Sequence, residues 1–116
     1  MVDKLLIWLA TSRSDPKAFP ADARRAAGFQ LRRIQQEFQP NDWKPLPVVG
    51  PGVQEIRIHT GLEYRVITLA RFPKGIYVLH AFEKRTHKTP RKEIELARQR
   101  FRALVLTRQI ARTRER

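Results

Sequence analysis

The chain contains no cysteine. That excludes disulfides, thiolate catalysis and Cys-ligated zinc, and it suits a reducing cytosol. It also lacks any apolar run near the roughly 18 residues needed to cross a bilayer. Met1 to Ala10 superficially resembles a signal peptide, but its start is not basic overall and its apolar run is short. The segment is therefore expected to be a first strand and the protein cytoplasmic. A Gly-rich phosphate loop, a nucleophile elbow and a DNA-binding helix pair are missing as well. His59, His80 and His87 have no ligand-like spacing and sit among cations that would repel a divalent ion, so neither metal nor cofactor is expected.

Acidic residues are scarce: 11 Asp and Glu stand against 24 Lys and Arg, for a net charge of +13 and a pI near 11.4. Such a balance favours a polyanion, either nucleic acid or an acidic protein. The excess is uneven. Residues 1–83 carry 12 basic against 8 acidic side chains, whereas residues 84–116 carry 12 against 3. It begins at the end of a strand and not only in the tail, which favours a docking site over a solubilising end.

With 116 residues the chain fits one domain. That domain is placed at 1–106, with a basic tail at 107–116 expected to fray. Lys4 to Leu9 reads as a short strand. Asp15-Pro16 supplies an N-cap followed by proline, and Phe19-Pro20 marks the start of a longer helix. Apolar residues at 19, 23, 26, 27, 31, 34 and 38 form a 3.6-residue stripe, with Arg24, Arg25, Arg32 and Arg33 on the other flanks. Gln39 to Gly52, with four prolines, reads as an irregular covering loop whose Trp43 and Leu46 tuck onto the core.

Three strands follow: Val53 to His59, Tyr64 to Phe72 and Ile76 to Lys84, with turns at Gly61 and at Pro73-Lys74-Gly75. Glu55, Arg57 and His59 share one face of the first; Arg65, Ile67, Leu69 and Arg71 share one face of the second. Thr89 then caps a closing helix with Pro90 as its first residue and Ile94, Ala97, Phe101 and Leu104 as its stripe. The order strand, helix, helix, antiparallel meander, helix predicts an α+β domain in two layers.

The segments Val53-Gln54-Glu55-Ile56-Arg57-Ile58, Tyr64-Arg65-Val66 and Val78-Leu79-His80-Ala81-Phe82-Glu83-Lys84-Arg85-Thr86, with Lys88-Thr89-Pro90, resemble in order and spacing the phage Gp49-like, HigB-type toxins of the RelE/ParE superfamily. The resemblance implies a RelE-like β-α-α-β-β-β-α fold. It also implies a metal-independent endoribonuclease toxin that cleaves mRNA, usually in the ribosomal A site. Its expected partner is a helix-turn-helix, HigA-like antitoxin. Arg57, Arg65, Lys84 and Lys88 stand where such toxins carry basic residues proposed for RNA binding and catalysis. Arg85 departs from the family's usual lysine. A guanidinium holds its proton where an ammonium can lose it, so Arg85 suits RNA contact and not base catalysis.

The chemistry such an enzyme needs is modest, because RNA carries its own 2′-OH nucleophile. The protein must align the backbone, stabilise the phosphorane's charge and manage two protons. Arg57 and Arg65 on adjacent strands would form a fork for the scissile phosphate; the competing reading pairs them with Glu55 or Glu63 on an ordinary surface. Crowding by Arg85 and by each other would lower the proton affinity of Lys84 and Lys88, fitting either for acid or base work unless the run is a solvated turn. His87 is the reserve proton carrier. Arg85, Arg91, Lys92 and His59 are expected RNA contacts, while His80, inside an apolar strand, reads as a hydrogen-bonded core residue. Two other classes stay open: a ParE-like inhibitor of DNA gyrase and a non-catalytic RNA- or ribosome-binding module.

Overall fold

The computed structural model describes residues 4–9, 14–70 and 75–114. The expected turn at Pro73-Lys74 and the strand positions Arg71 and Phe72 lie outside the described residues. The elements are β1 (Leu5–Trp8), α1 (Ser14–Lys17), α2 (Ala21–Gln35), β2 (Trp43–Pro45), β3 (Val53–His59), β4 (Glu63–Leu69), β5 (Gly75–Glu83) and α3 (Arg91–Arg114). Asp15 therefore lies in the first turn of α1 and not at a cap before it. The α+β class holds, and five strands form one mixed sheet in the order β1-β5-β4-β3-β2. β1 runs parallel to β5, and the remaining neighbours are antiparallel.

The loop expected over Gln39 to Gly52 contains a strand after all. Trp43, Lys44 and Pro45 pair with Ile56, Glu55 and Gln54, adding an edge strand to β3. Proline is tolerated there because an edge strand has one side with no ladder to complete. Leu46 and Val49 then turn back into the core, and Leu46 N–H donates to Val53 O at 2.8 Å.

The layering also differs from the two layers expected. On one face α2 sends Ala23, Ala27, Leu31 and Ile34 against Ile56, Ile58, Tyr64, Val66, Ile76 and Val78. On the opposite face α3 brings Ala97 and Leu104 against Val53, Ile67, Leu69, Tyr77 and Leu79. The sheet is thus sandwiched in three layers. Its middle strands explain why: β5 is buried from Gly75 to Phe82 and β4 from Tyr64 to Leu69, without the polar alternation of a one-sided sheet. Among the described residues no helix is long and apolar enough to cross a membrane.

Among the described residues β1 pairs with Gly75 to Val78 of β5. Beyond it α1 covers β5, where Asp15 Oδ2 lies 3.3 Å from His80 Nδ1. His80 Nε2 meets Glu93 of α3, and Arg100 of α3 donates to Leu79 O at 2.7 Å. His80 is buried, so its two carboxylate partners tie α1 and α3 to β5.

Candidate nucleic-acid interface

The sheet face that α3 covers at one end is polar at the other. Strand alternation puts Glu55, Arg57 and His59 of β3 on that face, and register sets three partners beside them: Lys44 opposite Glu55, Arg65 opposite Arg57 and Glu63 opposite His59. Lys84 follows Phe82 by two residues at the end of β5, and its backbone N–H donates to Glu63 O at 2.7 Å, which seats it beside β4. Lys44, Arg57 and Arg65 on three strands, and Lys84 just past the end of a fourth, thereby gather close enough for their charges to act on Lys84.

Arg65 is the buried member, 5% exposed. Its guanidinium donates to Glu63 Oε1 at 3.0 Å and to Tyr64 O at 3.0 Å, with Glu55 Oε1 3.8 Å from its Nε. Arg57 is half-buried, 3.6 Å from Asp42 Oδ1. The Nε of both arginines is shut away from solvent with no hydrogen-bond acceptor. The anticipated pairing with Glu55 or Glu63 holds for Arg65, though buried and not on the surface, whereas Arg57 pairs with Asp42; each keeps a buried Nε without an acceptor.

Along the rim, His59 is gripped on both ring nitrogens, by Asp42 at 2.6 Å and Glu63 at 2.7 Å. The bond to Asp42, then that to Glu63, raises the imidazole's proton affinity, and the same bonds hold both carboxyls below their usual range. The result is a chain of alternating sign from Arg57 through Asp42, His59 and Glu63 to Arg65. Held by two carboxylates, His59 is biased toward its cationic form.

Lys84 carries the shift that matters for chemistry. Burial lowers its ammonium's proton affinity first, then the positive charges of Arg65, Lys44 and Arg57, while Glu55 pulls the other way. Arg85 and Lys88, expected to supply the crowding, are not its causes. Arg85 is 84% exposed in its side chain, bound to Glu83. It borders a cavity of about 440 Å³ with Phe19, Tyr64 and Ala81, on the α2 side of the sheet. Consecutive residues at a strand end point to opposite faces, which separates Lys84 from Arg85.

Lys88 and His87 are exposed on the turn after β5, and Arg91 and Lys92 are exposed at the start of α3. None of these four has a described contact with the basic floor. The turn is tied to that floor by Thr89, whose Oγ1 donates to Glu55 Oε2 at 2.7 Å. The helix begins at Arg91, and the hydroxyl expected to cap it is committed to the sheet instead; the carbonyl of Pro90 accepts the first helical N–H groups. Among the described residues no three His, Asp or Glu side chains are disposed to hold a metal ion.

Residue-level reading missed Lys44, Asp42 and the central place of Glu55. Lys44 and Asp42 lie in the proline-rich stretch taken as loop, and the signal available was their alternation about Trp43. Glu55 looked like a surface partner because alternation alone does not say which polar strand positions are covered.

A family model described as phage-derived protein Gp49-like matches residues 14–102. No curated protein matches the chain.

Proposed function

Because the chain belongs to the phage-derived Gp49-like family, we propose that it is the toxin of a toxin–antitoxin pair and that it cleaves messenger RNA without a metal. The observation that carries this reading is the convergence of Arg57, Arg65 and Lys84 on one sheet face, with two buried guanidinium donors unfilled. The substrate is RNA presented by the translating ribosome. The inhibiting partner is a helix-turn-helix antitoxin.

In the proposed reaction, Arg57, one-third exposed in its side chain, takes the scissile phosphate, and the buried Arg65 adds its positive charge from beneath. Lys84, poised by burial and by Arg65 to lose its proton, removes the proton of the 2′-OH. The 2′ oxygen bonds to phosphorus, the bond from phosphorus to the 5′ oxygen breaks, and the products are a 2′,3′-cyclic phosphate and a 5′-hydroxyl. His87 or Lys88 on the turn supplies the proton that the departing 5′ oxygen takes up. The cationic floor stabilises the phosphorane, where one well-aimed donor is worth about 10² to 10³ in rate.

The test is induced expression followed by mapping of transcript ends, comparing the parent with Arg65→Ala and Lys84→Ala. New 5′-hydroxyl ends in the parent that vanish in both variants are expected. Growth arrest with intact transcripts would overturn the ribonuclease reading and favour gyrase inhibition. Ribosome binding lost evenly with each cation removed, without cleavage, would favour a non-catalytic RNA-binding module.

A further inference from the structure

Glu55 sits in the middle of the basic floor with no exposed surface. Its Oε2 accepts the Thr89 hydroxyl. Its Oε1 lies 3.7 Å from Lys44 Nζ and 3.8 Å from Arg65 Nε and takes no hydrogen bond. Such a carboxylate is an expensive strand residue, since burying a charge costs several kcal/mol on the order of magnitude unless it is paired, and an apolar side chain would pack more cheaply. Its register partners are Lys44 on β2 and Ile67 on β4, a cation on one side and an apolar side chain on the other.

We propose that Glu55 is a positioning residue: a buried counter-anion that seats the turn from Lys84 to Pro90 on the sheet through Thr89, and holds Arg65 and Lys44 where a phosphodiester meets them. This inference rests on the reading of the site as an RNA-cleaving one and assigns to it a residue that never touches the substrate. With no exposed surface, Glu55 cannot itself take a proton from bound RNA. It acts through its neighbours.

Four cations on one sheet face repel each other, and the Glu55 charge offsets part of that repulsion from within. It also bears on Lys84, whose proton affinity it pulls up against burial and Arg65. Thr89 is the second arm. Its hydroxyl is the described link between the sheet and the segment carrying His87 and Lys88, so the carboxylate sets both the charge of the floor and the position of the turn.

Three variants separate these roles. Glu55→Gln keeps the shape and an acceptor for Thr89 but removes the charge. Thr89→Val keeps the shape and removes the hydroxyl, and Thr89→Ser restores it. The readouts are the Lys84 Nζ titration by NMR, affinity for a 2′-O-methyl oligonucleotide that cannot be cleaved, and cleavage of the matching RNA. Glu55→Gln is expected to move the Lys84 midpoint further down and to bind the oligonucleotide at least as tightly, while kcat falls about ten- to hundredfold from lost alignment. Thr89→Val is expected to lower kcat in the same range with the Lys84 midpoint near the parent's, and Thr89→Ser to recover it. An unmoved Lys84 midpoint in Glu55→Gln, or parental cleavage in both Glu55→Gln and Thr89→Val, overturns the inference. A parent that cuts no RNA while Glu55→Gln still shifts Lys84 would retire the ribonuclease reading and keep Glu55 as organiser of an anion site.

Discussion

Arg57 and Arg65 are direct register partners across β3 and β4, two guanidinium groups set side by side on one face. Like charges so placed are destabilising. The protein offsets them with Asp42, Glu63 and Glu55, yet leaves the buried Nε of each without an acceptor.

A bound polyanion should therefore stabilise the fold. A 2′-O-methyl oligonucleotide at a hundred times its Kd is expected to add about 2.7 kcal/mol by mass action. The rise in melting temperature should shrink with added salt and be smaller in Arg57→Ala. Differential scanning fluorimetry reads this directly, and a melting temperature indifferent to oligonucleotide would contradict the site.

Lys84→Ala is expected to slow RNA cleavage by about 10² to 10⁴, the usual contribution of a positioned proton acceptor. Because burial and Arg65 lower the ammonium's proton affinity, the parent's rate should rise with pH and level off below the pH of an ordinary lysine. In Lys84→Arg that rise should disappear, since a guanidinium has no accessible neutral form. A pH–rate profile of kcat for both proteins makes the comparison.

His59 should titrate above the ordinary histidine value of about 6.5, and Asp42→Asn should bring it down. Its contribution to stability is fully present below the unfolded histidine's pKa and is lost as pH rises through the raised folded value. Asp42 and Glu63 act in the opposite sense. Their depressed values mean a contribution present above the ordinary carboxylate range and lost as pH falls through the folded ones. The rim chain is intact between those limits, and an NMR titration of the His59 ring in parent and Asp42→Asn tests it.

Gly50→Ala tests how the loop after β2 packs under α3. A Cβ at Gly50 would lie 2.5 Å from two ring carbons of Phe101. A loss of about 1 to 3 kcal/mol is expected from this overpacking. The loss should be much smaller in a Phe101→Ala background, where the ring is gone, and urea unfolding of the four proteins completes the cycle.

The α2 stripe illustrates what local pattern conveys. Phe19, Ala23, Ala27, Leu31 and Ile34 are all buried as their spacing demands, but Phe38 is 59% exposed because the helix ends at Gln35. β3 was readable to the residue from its alternation and the Gly61 turn. β2 was not, since three residues bracketed by prolines carry no periodicity and become a strand only when β3 offers its edge. The pairing of Arg57 with Arg65 followed from hairpin register, whereas the departure of Arg85 to the far face followed from a parity that a charge run conceals.

Sequence by itself determined the charge, the order of the elements other than β2, the α+β class and Arg57, Arg65 and Lys84 among the cations at the end of the sheet, because each follows from periodicity, turn chemistry or counting. Tertiary structure alone decided that the helices lie on opposite faces, that Lys44 joins the basic floor and that Glu55 is sealed beneath Thr89. Those facts depend on which strand lies beside which and on what covers each face. Distances between residues remote in the chain have no local signature to read.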